Sequence, residues 1–421
     1  LADPVTVALI LGGSIVIIGF LSNFLFERKG IPDMLLLIFL GMFLGPMTGL
    51  VSSSAIMGLA PYLAALALVF ILFDGGMAMN LYRVLSESPR AAVLAITGFV
   101  MSVFVTTLFM AYIVIPGRPL LYSLLFGTIL GGSSSIVVIS LASRIKVSEK
   151  CSTVLSLESA ITDILCIVVS LVVIDVILKG ANVDLSTIGQ SIVGRFSIGA
   201  VFGVVFGIIW LSVLRRIAKA SYAYMLTLGV VLLAYAAAEF MGGSGSLCSL
   251  LFGIMLGNEG EIYRILRTEK PANATVDAGL KRFESEVAFL LRTFFFVYIG
   301  LIVTFGSITT IVVGVILSLM LLLVRYGAVT IATIRSSELR RERPIMGVTM
   351  TRGLAAAVLA TLPLQYADAA KYPEAGPIFQ ALSPLYIDLA VIVILLTAII
   401  ATVGIPVLKR RSGSGRVTAL K

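Results

Sequence analysis

The chain has 421 residues, 59% hydrophobic and only 13% charged, with a mean hydropathy of +1.10. Soluble domains carry about 25% charged residues, so this composition belongs to a polytopic membrane protein. The net charge of +9 sits in short loops between apolar runs, which points to lipid and topology and away from a nucleic-acid partner.

The residue inventory narrows the chemistry. Histidine is absent, which removes Ser–His catalysis, H-E-x-x-H zinc sites and histidine pH sensing. No lysine lies inside an apolar segment to activate a nucleophile, so an enzyme is not expected. The three cysteines (Cys151, Cys166, Cys248) lie in or beside apolar runs and read as packing residues. A chain opening on Leu1 reads as trimmed, and Ser412-Gly413-Ser414-Gly415 as tail or linker.

Thirteen hydrophobic segments are predicted, near residues 5–26, 32–51, 55–78, 90–115, 120–143, 151–178, 188–213, 221–241, 243–258, 284–304, 307–334, 344–365 and 384–408. Of 31 basic residues, 24 fall in loops after odd-numbered segments, and only Arg118, Lys179 and Lys371 fall on the other side. The positive-inside rule then places the N-terminus outside and the C-terminus in the cytoplasm, as expected for a multi-pass plasma-membrane protein.

Segments 1 and 2 carry Gly12, Gly13, Gly41 and Gly45, which read as close helix packing. Segment 3 ends in Leu72-Phe73-Asp74-Gly75-Gly76-Met77. Asp74 is either an interfacial carboxylate near Arg83 or part of an inner access route. Segment 5 holds Gly131-Gly132-Ser133-Ser134-Ser135, poor helix material because glycine costs about 1 kcal/mol against alanine and serine competes for backbone bonds. Unwound backbone survives in a bilayer only where it is buried in protein or lines a cavity. The stretch is therefore a small-residue seam or a broken helix. The broken helix would offer serine hydroxyls and freed carbonyls, hard ligands suited to an alkali cation.

Segment 6 contains Leu157-Glu158-Ser159-Ala160-Ile161-Thr162-Asp163. Each intramembrane acid costs about 2.5 kcal/mol or more, which makes both functional-site candidates. Helical spacing puts Ser159 and Asp163 on one face, and Glu158 and Thr162 on another. Asp163 is thus a candidate ion or proton site with Ser159 one turn below, and Glu158 reads as the partner of a base elsewhere. Trp210, near the end of segment 7, fits an interfacial aromatic belt. Glu259 to Glu286 reads as a cytoplasmic linker. Segment 12 contains Thr351-Arg352-Gly353, where the buried arginine needs an acid, and Glu158 is its natural partner.

The fold class that emerges is an all-α polytopic membrane protein of about 13 transmembrane helices. Residues 5–178 and 221–408 form two inverted six-helix repeats around a linker helix at 188–213. Both lie in one transmembrane domain, 1–408, followed by a cytoplasmic tail, 409–421. The breaks in segments 5 and 12 are corresponding fifth members, crossing at mid-membrane as in a transporter site.

Over nearly its whole length the chain resembles the monovalent cation/proton antiporter superfamily, in its NhaP-type sodium/proton exchanger branch. The resemblance is carried by Phe73-Asp74-Gly75-Gly76, Gly131–Ser135, Glu158–Asp163, Phe295-Phe296-Val297-Tyr298-Ile299-Gly300-Leu301 and Thr351-Arg352-Gly353, in this order. It implies a homodimer whose core domain moves against a dimerisation domain, with no cofactor. It makes Asp163 the shared cation and proton carboxylate, Ser159 a further ligand, and Glu158–Arg352 a structural ion pair. The family's Thr-Asp-Pro stretch matches Ser133-Ser134-Ser135, which leaves Ser133 as candidate ligand and puts Ser134 where the family has Asp. Thr162 stands where the family has Asn or Asp, and the cation- and proton-binding set expected is Asp163, Ser159, Thr162, Ser133, Ser134 and Asp74, with Asp163 and Ser159 on the alkali cation. One carboxylate rather than two favours electroneutral one-for-one exchange.

The mechanism expected from this placement is competition. Asp163 holds a proton or a cation, never both, and only loaded forms reorient. Sodium is the first substrate reading and potassium the alternative. A gated cation channel is a third, disfavoured because no selectivity-filter repeat is present.

Overall fold

The computed structural model describes residues 4–51, 60–134, 147–179, 185–217, 222–265, 267, 276–334 and 336–417. Among these, every regular element is helical. In chain order they are α1 (Pro4–Lys29), α2 (Asp33–Met42, continued by a π-helical turn to Met47), α3 (Ala60–Ala78), α4 (Leu81–Phe109), α5 (Leu120–Ile129) and α6 (Glu149–Lys179). There follow α7 (Leu185–Ile217), α8 (Ala223–Phe240), α9 (Gly245–Gly257), α10 (Glu259–Ile265) and α11 (Ala278–Ile302). The last four are α12 (Ile308–Ala332), α13 (Ser337–Val348), α14 (Leu354–Thr361) and α15 (Gly376–Val417).

Among the described residues, eight helices are long and apolar enough to cross a membrane, and five further apolar helices are shorter. The lengths do not fix thirteen crossings. They do place two short apolar pieces, α5 and α14, where Gly-Ser and Arg-Gly sequences interrupt a hydrophobic run. The helix of segment 10 starts at Ala278, so the linker ahead of it is shorter than its charge suggested. At the other end, α15 runs through the Ser-Gly stretch to Val417.

The chain divides into two compact units that cut across the expected repeats. Unit 1 comprises 1–61, 87–178 and 293–421. Its α2 and α11 touch backbone to backbone, because a methyl group on Gly41 would overlap Val297 and one on Gly300 would overlap Ile38. Gly12 and Gly13 face open space instead, so of the four glycines read as packing contacts only Gly41 and Gly45 are such. Asp388, buried on α15, accepts hydrogen bonds from the Thr304 amide (2.8 Å), the Thr304 hydroxyl (2.8 Å) and the Gly306 amide (3.3 Å). It thereby satisfies the backbone between α11 and α12, where no helix can.

Unit 2 comprises 62–86 and 179–292. On α7, Gly199, Gly203 and Gly207 recur every fourth residue and lie directly on Ser244, which caps α9, and on Cys248 and Met255 within it. The opposite side of α9 meets α3 in the same way, through Gly253 and Gly257 against Phe73 and Met77. Small residues let these backbones approach without the hydrophobic drive that water would supply. Trp210 is buried and donates from its indole nitrogen to the Thr227 hydroxyl of α8 (3.2 Å). It is a packing residue between α7 and α8, not a member of an interfacial belt. All three cysteines are buried free thiols.

Candidate functional site

The candidate site lies in unit 1, where two interrupted helices meet α6. Helix α5 ends at Ile129, and Gly132, Ser133 and Ser134 run on without helical structure. Helix α13 stops at Val348, residues 349–353 are likewise unwound, and α14 resumes at Leu354. The two breaks are joined directly, with the Ser134 amide donating to the Thr351 carbonyl at 2.6 Å. The crossing is tight enough that a methyl group on Gly353 would overlap the Ser134 hydroxyl. Both breaks are therefore present as the glycines and serines indicated, and the small-residue seam gives way to an unwound crossing. Ser135, and the rest of segment 5 through 143, lie outside the described residues.

Helix α6 supplies the partners that the unwound backbone lacks. The Thr162 hydroxyl accepts from the Ser133 amide (3.1 Å) and donates to the Ser159 carbonyl (3.0 Å). The Ser159 hydroxyl donates to the Ser133 carbonyl (2.6 Å), and the Ser133 hydroxyl donates to Glu158 (2.9 Å). Gly132 allows this contact, since a methyl group there would lie 2.8 Å from the Cys166 sulfur. Thus Ser133, Ser159 and Thr162, each expected as a cation ligand, are gathered at one place. Their hydroxyl protons are already committed to holding the break, and any ligand role falls to remaining lone pairs.

The two acids of α6 have opposite surroundings. Glu158 is 2% exposed and paired bidentately to Arg325 of α12, from Nη1 to Oε1 at 2.9 Å and from Nη2 to Oε2 at 3.1 Å. The same guanidinium donates from Nε to the Met346 carbonyl (3.1 Å), tying up the end of α13 before its break. The expected pair of Glu158 with Arg352 is therefore replaced. Arg325 presents the planar fork that matches a carboxylate, and Arg352 turns elsewhere. Arg352 is 5% exposed and donates to the Gly132 carbonyl and to the Ser102 hydroxyl (3.4 Å). Its own amide donates to Thr397 of α15 (3.1 Å). Arg352 is thus a backbone cap for the broken α5.

Asp163 is only half-buried, and no described residue donates a hydrogen bond to it or forms an ion pair with it. Among the described residues, Glu158 and Arg352 are charges that act on it. Two hydroxyls of the crossing are also uncommitted. Thr351 is fully buried and its Oγ1 has no hydrogen-bond partner, and the Ser134 hydroxyl makes no hydrogen bond among the described residues. Hard oxygen donors of this type suit an alkali cation.

Asp74 belongs to unit 2. Its Oδ1 accepts from the Ser285 hydroxyl of α11 (2.7 Å). The side chain of Arg83, its expected neighbour, is outside the described residues.

Comparison with known proteins gives a consistent answer. The family model described as "Sodium/hydrogen exchanger, transmembrane" matches residues 13–410. The K(+)/H(+) antiporter NhaP of Alkalimonas amylolytica is 27% identical over 266 residues, covering 61% of this chain and 45% of its own length. Na(+)/H(+) antiporter 1 of Methanocaldococcus jannaschii is 24% identical over 370 residues, covering 83% of this chain and 81% of its own. The solved structure of the sodium proton antiporter MjNhaP1 from that organism, at pH 8, superposes with a TM-score of 0.75 at 21% identity, covering 95% of this chain and all of its own. The chain spans about half the length of the K(+)/H(+) relatives it matches.

Proposed function

The chain belongs to the sodium/hydrogen exchanger family, and from that premise we propose that it exchanges sodium for protons with Asp163 as the carboxylate that carries either. The observation that carries this reading is the contrast on α6. Glu158 has three donated hydrogen bonds, two from Arg325 and one from Ser133, whereas Asp163 has none from the described residues. A buried charge that is fully paired is structural; one left unpaired in a membrane-spanning helix is available to a transported ion.

The chemistry then follows from charge. An ionised Asp163 takes a cation, with the hydroxyls of Ser134 and Thr351 and lone pairs of Ser159, Ser133 and Thr162 as further oxygens. A proton on Asp163 removes the charge that holds the cation. Each ligand expels the other, and coupled exchange results if only loaded forms reorient. Because Glu158 is committed to Arg325, one carboxylate is left open to a proton or a cation, which supports one proton per cation and an electroneutral exchange.

Potassium is the second reading, favoured by the K(+)/H(+) antiporter relatives at 27–28% identity. We further propose a homodimer in the plasma membrane, two inverted repeats at 5–178 and 221–408, the N-terminus outside, and no cofactor besides the transported ions. The loop charges support the orientation. The test is proton movement in proteoliposomes with the membrane potential clamped. Collapse of a pH gradient on adding sodium supports the first reading, and collapse on adding potassium alone supports the second. Cation flux without proton flux overturns both.

A further inference from the structure

Helix α12 keeps one face clear of protein along most of its length. Val312, Val315, Leu319, Leu323, Tyr326 and Thr330 recur every three or four residues and are all exposed, Leu323 at 73%. The opposite face, with Leu317, Leu321 and Val329, is buried. On a helix long and apolar enough to cross a membrane, such a stripe meets acyl chains.

The stripe ends on two arginines of α13. Arg343 donates from Nε to the Thr333 hydroxyl (2.5 Å) and from Nη2 to the Thr330 carbonyl (3.2 Å). Arg340 donates from Nη2 to the carbonyl of Ile334 (2.5 Å), a residue that is itself 54% exposed. These bonds satisfy the last carbonyls of α12 and fix both guanidiniums at the foot of the stripe. Nη1 of each arginine and Nε of Arg340 donate to no described residue.

The acids of α13 do not offset these charges. Glu342 accepts from the amide and the hydroxyl of Ser148 (2.8 Å each), and Glu338 pairs with Lys150 (3.6 Å). Both contacts lie at the start of α6. Helical spacing puts Glu338 and Glu342 on one side of α13 and Arg340 and Arg343 on the other. Two fixed positive charges, with no acid paired to them among the described residues, therefore stand where an apolar surface ends.

Such a surface fits a molecule with an anionic head and an apolar tail in line. Guanidinium edges match phosphate oxygens, and two of them favour a net-anionic head over one whose ammonium offsets its phosphate. A water-soluble anion would leave the stripe unused. We propose that Arg340 and Arg343 hold the headgroup phosphate of an anionic phospholipid whose acyl chains lie along α12. The site is built from unit 1 alone and is independent of the antiport reading.

Fluorescence quenching in bilayers tests this on the full chain. Trp210→Phe removes the one native indole, and Ile334→Trp places one at the foot of the stripe. Phosphatidylcholine vesicles carry a small share of lipid brominated in its acyl chains, either phosphatidylglycerol or phosphatidylcholine. The brominated phosphatidylglycerol should quench with an apparent affinity at least about fivefold higher. Arg340→Gln should remove most of that preference, and Arg340→Gln with Arg343→Gln all of it. Arg341→Gln loses the same charge from an exposed residue of α13 that bonds neither carbonyl, and should leave the preference intact. Where Arg343→Gln lowers the melting temperature, Arg340→Gln alone gives the reading. Equal quenching by the two lipids overturns the proposal, as does an Arg341→Gln effect as large as that of Arg340→Gln. So does a lack of quenching by either lipid, the result if a second copy of the chain covers the stripe. Loss of the preference in inorganic phosphate at constant ionic strength overturns it too, by making the site one for free anions.

Discussion

Glu158 and Arg325 face each other through two parallel hydrogen bonds of 2.9 and 3.1 Å, while Asp163, five residues further along the same helix, receives none from the described residues. One helix thus carries a neutralised acid that fastens the fold and an open acid that can do work. The consequences separate cleanly by residue.

Removing one partner of the buried pair strands the other. Arg325→Met or Glu158→Gln is expected to destabilise the chain by about 3–5 kcal/mol. Melting of the detergent-purified protein checks this. A double-mutant cycle should show strong coupling between Glu158 and Arg325 and little between Glu158 and Arg352. Equal coupling to both arginines would contradict the assignment.

Proton and cation competing for one carboxylate gives the pH dependence a sign. As pH falls, the apparent KM for the cation should rise, and more cation should restore the rate. Initial rates across pH and cation concentration decide it. A loss of maximal rate at unchanged KM would mean that the proton acts somewhere other than Asp163.

The crossing leaves no room at Gly353. Gly353→Ala puts a methyl group onto the Ser134 hydroxyl, and overpacking of this kind costs about 1–3 kcal/mol. Exchange should fall far more than folded yield, because the displaced hydroxyl is a proposed cation ligand. Pairing it with Ser134→Gly should recover the lost stability, because the overlap is gone, while exchange stays low without the Ser134 hydroxyl.

Thr351 has a fully buried hydroxyl with no hydrogen-bond partner among the described residues. Thr351→Val, close to it in shape, should leave melting nearly unchanged and raise the KM for the cation. An unchanged KM would remove Thr351 from the ligand set.

The sequence made both helix breaks legible, because Gly131-Gly132-Ser133-Ser134 and Thr351-Arg352-Gly353 are costly in any apolar helix that is not interrupted for a reason. Helical period alone also separated Asp163 from Glu158. The partner of Glu158 was not legible. Arg325 and Arg352 are both intramembrane arginines, and one chain does not say which helix lies beside α6. Arg325 did carry a signal, as a lone charge on the otherwise apolar α12. The start of α11 was hidden differently, since the charges of that stretch made it look like a linker when the helix already begins at Ala278. Trp210 misled because aromatic residues near span ends serve both belts and packing, and only the Thr227 hydroxyl distinguishes the two.

The most direct test compares Asp163→Asn with wild type in proteoliposomes, following proton movement on a sodium or potassium step with the membrane potential clamped. Purified protein that elutes and melts as wild type is used, so that folding is not the variable. Exchange carried by Asp163 is expected to vanish in the variant with either cation. Exchange that persists in Asp163→Asn would place the carrier carboxylate elsewhere and contradict the account.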